Sequence, residues 1–141
     1  MTSYSVRETI AADAETVWDL LTDGTRFADW NSTIVSFEGD IAKGNRIKLV
    51  STVNPKRAFK LNVAEVDAPR HMVWSDGMPL GLFKGVRTFS LTPSGEGSTV
   101  FEMVEEYSGL LEPLISRSIP DMSDSFREFA ASLKQAAEAR D

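Results

Sequence analysis

Two charged residues stand where the local alternation calls for apolar ones. Between Lys84 and Leu91, Arg87 falls on the same side as Phe89 and Leu91, while Val86, Thr88 and Ser90 take the other. Between Thr99 and Tyr107, Glu105 shares its side with Phe101, Met103 and Tyr107. Counting outward from the turn Pro93–Ser98 brings Arg87 beside Met103 and Glu105 on the neighbouring strand. A charge taken out of water costs several kcal/mol unless it is paired, so the two are expected to form an ion pair. Such a pair has two readings. It is a structural bridge at a wetted rim, or Arg87 holds a ligand carboxylate or enolate while Glu105 works as acid or base.

Other side chains offer less. Tyr107, with Ser75 near it, donates to a ligand carbonyl or merely reaches solvent. Trp30 and Asn31 stack on and hydrogen-bond to a ring at an entrance, or Trp30 simply packs. Lys56 and Arg57 decorate a turn, or steer an anion if that turn borders a mouth. His71 follows Pro69-Arg70 and reads as a solvated turn residue. As the sole histidine it supplies neither a multi-histidine metal cluster nor a base for a serine. The chain has no cysteine, which removes disulfides, thiolate nucleophiles and zinc–thiolate sites. Gly81 and Gly85 have no helix behind them to make a phosphate cradle. No cofactor and no metal are expected.

The elements that must position these residues follow from periodicity. The 141 residues suit one domain, residues 1–141, with 42% hydrophobic and 26% charged side chains. Net charge of −6 with scattered cations opposes nucleic-acid binding. There is no apolar run of membrane-spanning length and no signal-peptide pattern near Met1, so the expectation is a cytoplasmic protein without integral membrane association, as monomer or homodimer.

Tyr4 to Ala11 reads as a first strand. Asp13 caps a short helix bearing Val17, Trp18, Leu20 and Leu21 that Gly24 ends, and a second short helix covers Thr25 to Trp30. Six strands follow. They run about Thr33–Glu38, Arg46–Val53, Ala58–Val66, Met72–Trp74, Lys84–Leu91 and Thr99–Tyr107. The apolar phase of the third of these shifts after Val63, the mark of a bulge. The residues after Gly109 predict a short helix from Leu110 to about Arg117 and a main one from Pro120 to about Ala139, capped by Ser118; a kink at Pro120 is the alternative. Met122, Phe126, Phe129, Ala130, Leu133, Ala136 and Ala137 share one helical face. The expected fold is α+β: a seven-stranded curved antiparallel sheet wrapped around a long C-terminal helix, with two short helices between its first two strands.

This order of elements is the helix-grip arrangement, and the chain resembles the SRPBCC superfamily. Within it the resemblance is to the polyketide cyclase/dehydrase-like group, which shares its fold with START lipid-binding domains and the birch-pollen allergen. Four stretches carry the resemblance: Ala14-Glu-Thr-Val-Trp-Asp-Leu-Leu followed by Trp30; Phe37 to Ile47; Glu65 to Trp74; and Arg87 to Pro93 running on to Glu105-Glu-Tyr-Ser-Gly.

Alternate turns of a meander lie at opposite ends of its sheet. The segment after Trp30, the turn Asn54–Arg57, the loop Gly77–Leu82 and the junction at Gly109 therefore share one end. That end carries an apolar collar of Trp30, Met78, Leu80, Leu82, Phe83, Leu110 and Leu111, and it is the expected cavity mouth. The inward-facing wall is expected to include Leu49, Phe59, Leu61, Trp74, Phe89, Phe101, Met103, Tyr107, Met122 and Phe126. With Arg87, Glu105, Trp30, Asn31, Met78, Leu82 and Leu111, these are the candidate ligand-binding residues.

Three functions are open. The leading one is binding of a hydrophobic small molecule, such as a lipid, polyketide or aromatic metabolite. The second is a metal-free cyclase or dehydratase using Glu105 and Arg87. The third, implied by the resemblance alone, is a protein-interaction module like the chaperone activators. Glu105 is the only clearly inward ionisable group of catalytic type, which places binding ahead of catalysis.

Overall fold

The computed structural model describes residues 2–140. One seven-stranded antiparallel sheet holds β1 (Thr2–Ile10), β2 (Ile34–Glu38), β3 (Arg46–Ser51), β4 (Ala58–Asp67), β5 (His71–Met78), β6 (Phe83–Pro93) and β7 (Thr99–Ser108). The spatial order is β1-β7-β6-β5-β4-β3-β2, so the first strand lies beside the last and the rest form a meander. β1 runs in unbroken register from Thr2 opposite Tyr107 to Ile10 opposite Thr99. In β4 the register shifts between Val63 and Glu65, the bulge expected from the phase change. It returns Val66 to the apolar side after Ala64 has pointed away.

The concave face is covered by α4 (Ser123–Ala139), whose Phe126, Phe129, Ala130, Leu133 and Ala137 are buried. Burial of each large side chain contributes about 1.5–3 kcal/mol, which holds the helix against the sheet. Its far end is tied by polar contacts: Glu138 Oε2 accepts from Ala11 N at 2.9 Å and from Lys134 Nζ at 2.6 Å.

α1 (Ala14–Thr22) begins at Asp13, whose carboxylate accepts from Thr16 N at 2.8 Å. A single 3₁₀ turn, Gly24–Arg26, and α2 (Phe27–Trp30) follow. Gly24 serves packing rather than helix termination. A Cβ there would meet the Phe37 ring at 2.1 Å, and the residue has no left-handed backbone.

The C-terminal segment is two helices, not one kinked helix. α3 (Glu112–Ser116) is separated from α4 by a break containing Pro120. The main helix starts at Ser123 rather than Pro120, so Met122 lies just outside it. Met122 holds the N-cap position without a side-chain cap; Asp121 Oδ1 accepts from Ser123 N at 2.9 Å, while the expected cap Ser118 donates back to Ile115 O at 2.7 Å. No helix of the described residues is long and apolar enough to cross a membrane.

Candidate functional site

β6, β7 and α4 run from one end of the molecule to the other, and their inward side chains change character on the way. At the closed end Phe89, Leu91, Phe101 and Leu133 are fully packed, and Phe129 lies between Phe101 at 6.1 Å and Phe89 at 6.2 Å. Toward the other end the inward positions are Arg87 and Gly85 on β6 and Glu105 and Tyr107 on β7. Together with Ser125 on α4 and Ser51 on β3, these leave space that the closed end fills.

The space is a cavity of about 370 Å³ between sheet and helix, within the size range of small-molecule pockets. Gly85 contributes by lacking a side chain. A Cβ there would meet the Tyr107 ring at 3.4 Å, and anything longer would enter the cavity.

Arg87 and Glu105 face each other in register across β6 and β7, and Arg87 Nη2 donates to Glu105 Oε2 at 2.9 Å. Their side chains are 17% and 15% exposed, and both line the cavity. The guanidinium also lies 5.0 Å from the centre of the Phe126 ring, so the cation is held from the helix side as well. Tyr107 sits two residues along the same face of β7. Burial pushes its phenol above the ordinary tyrosine range, and the adjacent Glu105 carboxylate pushes it the same way. Tyr107 therefore remains a neutral hydroxyl at physiological pH, next to a carboxylate that is itself paired to a guanidinium.

Leu49, Phe59, Leu61, Trp74, Met78, Met103, Met122 and Phe126 line the cavity with the three polar residues. The other candidates do not. Phe89 and Phe101 face inward but lie in the packed closed end, because alternation assigns a face and not a depth along the strand. Trp30 packs edge-on against Phe27 and Phe129. Asn31 is buried and turned to its own backbone segment, its Oδ1 accepting from Thr33 N and Oγ1 at 3.0 and 2.7 Å. Leu82 and Leu111 lie outside the lining, so of the collar expected from the loop residues only Met78 and Phe83 reach the cavity. Leu80 and Leu110 point into solvent.

The lining also takes in Val53, Asn54 and Arg57, from the turn expected at the mouth end, and Ile115, Ile119 and Pro120 from the segment after Gly109. Ile115 and Ile119 lie in the segment where Pro120 interrupts helical periodicity, which concealed their facing. Arg57 stacks over Phe59 at 4.9 Å, while Lys56 is exposed and outside the lining. His71 lies at the far end, with Nδ1 3.9 Å from Glu65 Oε2. Among the described residues no group of His, Cys, Asp or Glu is placed to hold a metal ion.

A family model described as polyketide cyclase/dehydrase and lipid transport matches residues 1–138. The chain belongs to that family. No curated protein matches it by sequence. Among solved structures it is similar to a structural-genomics protein from Mesorhizobium loti, with TM-score 0.76, 21% identity and 99% of each chain covered. A START superfamily protein from Mycobacterium smegmatis gives TM-score 0.65 and 20% identity over 98% of this chain and 95% of that one. A point mutant of norcoclaurine synthase from Thalictrum flavum, solved with a transition-state analogue, gives TM-score 0.75 and 16% identity, covering 99% of this chain and 95% of that one. At these identities the likenesses establish the helix-grip fold of the polyketide cyclase/dehydrase family and leave function to be argued from the site.

Proposed function

We propose that the protein binds a hydrophobic small molecule, of the lipid, polyketide or aromatic-metabolite class, between the sheet and α4. The observation that carries this reading is the cavity itself: a largely apolar chamber with Arg87, Glu105 and Tyr107 set into its wall between β6 and β7, and with a second pair of opposite charges, Asp76 and Arg57, elsewhere in its lining. Because Arg87 already neutralises Glu105, the group on β6 and β7 offers donors and an acceptor without net charge. That favours a neutral carbonyl or hydroxyl on the ligand over a carboxylate, which would have to displace Glu105.

Native mass spectrometry of the purified chain tests the reading, backed by titration with anilinonaphthalene sulfonate. The expected result is a retained hydrophobe, or dye binding that Gly85→Leu suppresses. A chain that retains nothing, and whose dye binding is the same in the Gly85→Leu variant, overturns it.

Catalysis of cyclisation or dehydration is a second reading, favoured by the neutral phenol beside a carboxylate. In it Tyr107 and Glu105 move a proton to or from a bound polyketone while the apolar walls fold the chain. Glu105→Gln would then abolish turnover of a linear polyketone while sparing its binding. Turnover unaffected by that change excludes Glu105 from the chemistry.

A further inference from the structure

Of the five large hydrophobic side chains that stand exposed among the described residues, four cluster at the cavity end: Met78, Leu80, Leu110 and Leu114. The opposite end, with its turns near Gly39–Asn45, Asp67–Arg70 and Pro93–Ser98, has none. The cluster is built from two segments held together by backbone hydrogen bonds. Leu110 N donates to Gly81 O at 3.0 Å, and Leu111 N donates to Leu82 O at 2.7 Å.

Leu80 is 93% exposed and has a positive φ of 62°, a conformation unfavourable for leucine and free for glycine. Neither burial nor backbone preference accounts for a leucine there. On α3, Ile115 lines the cavity while its neighbour Leu114 faces solvent, so the same short helix is apolar on both sides.

We propose that this rim docks on the surface of an anionic phospholipid bilayer, with Leu80, Leu110 and Leu114 entering the interface and the cavity mouth facing the lipid. Charge selects this occupant. In the segments Pro79–Lys84 and Gly109–Arg117 the exposed charges are Lys84 and Arg117, and the one acid, Glu112, is buried at 5% exposure. Around the cavity Lys56 and Arg57 are offset by Asp76 in the lining and Asp121 after Pro120, so the cationic excess is that of the leucine-bearing segments themselves, in a chain whose net charge is −6. Shape selects it too. Leucines at the tips of loops need a matching pocket on a protein partner, whereas a fluid interface accepts protruding side chains of any outline. The proposal rests on the reading of the cavity as a hydrophobic site only for its purpose, which is exchange of cargo with lipid.

Co-sedimentation of the full chain with phosphatidylcholine vesicles, with and without phosphatidylglycerol, tests it. Binding is expected with phosphatidylglycerol and is weakened by added salt. The triple variant Leu80→Gly, Leu110→Ser, Leu114→Ser lowers it on the order of tenfold, and Lys84→Glu or Arg117→Glu lowers it by roughly fivefold each. Leu80→Gly suits the positive φ, and none of the three leucines lines the cavity. Unchanged thermal unfolding and dye binding in the triple variant therefore separate this test from that of the cavity. Absence of vesicle binding, binding untouched by the triple variant, or a dimer in sedimentation velocity that the triple variant dissolves without any vesicle binding would each overturn the proposal. Loss of dye binding in the wild-type chain with vesicle binding intact would instead overturn the cavity reading alone.

Discussion

At the closed end of the sheet β6 and β7 offer Phe89 and Phe101, each packed against Phe129 of α4, whose ring also closes off the chamber; toward the open end the same three elements offer Gly85, Tyr107 and Ser125, which line it. The backbone scaffold is continuous, and only side-chain volume and polarity change along it. Stability and binding are thereby assigned to different stretches of the same strands. A core must be filled to hold the fold, and a cavity must be left unfilled to hold a guest.

The sharpest way to break this division is truncation at each end. Phe89→Ala should cost about 3–5 kcal/mol in denaturant unfolding, because it opens a void in packed surroundings. Phe59→Ala already borders open space and should cost roughly 1–2 kcal/mol, part of it the lost stacking of Arg57. Equal costs would mean that the cavity wall is as tightly packed as the closed end.

Next comes the ion pair. Arg87→Met or Glu105→Gln alone leaves a partner short of its bond at a partly buried site, for a loss of about 1–3 kcal/mol. Arg87→Met combined with Glu105→Gln should cost less than the two separate losses together. A double-mutant cycle measures that coupling, and additivity would mean that the two groups act independently.

Gly85→Leu sharpens the comparison from the other side. It should leave unfolding stability within about 1 kcal/mol and weaken dye binding roughly tenfold, since it fills the chamber without disturbing the closed end.

The smallest effect concerns Tyr107. Its folded pKa lies above the unfolded one, so its contribution is intact at neutral pH and stability is lost as pH rises past about 10, where the unfolded chain ionises first. Tyr107→Phe should flatten that alkaline decline in thermal unfolding. An unchanged decline would place the titrating group elsewhere.

How far these features were legible in the sequence depends on what kind of pattern carried them. Alternation carries the face, so the Arg87 and Glu105 pairing and the bulge after Val63 could be read before any coordinates. Depth along a strand has no such signal. Phe89 and Met103 are opposite one another and both face inward, yet only Met103 reaches the cavity. Loop residues escape as well, because their facing follows from backbone torsions that composition does not reveal. Leu80 looked like part of an apolar collar and points outward from a left-handed residue. Pro120 marked a break correctly, but α4 starts three residues later than expected, with Met122 at the N-cap position and Asp121, not Ser118, accepting from Ser123 N.

The pairing of β1 with β7 also has a consequence for synthesis. Thr2 finds its partner in Tyr107, so the first strand leaves the ribosome long before the strand it must join. β2 to β6 can pair as each emerges, but their concave face has no cover until α4 follows β7. A half-made chain is then a meander with a bare apolar face and an unpaired first strand, the condition in which nascent proteins aggregate or engage chaperones. Translation speed through the stretch that encodes β7 and α4 thus sets how long that exposure lasts.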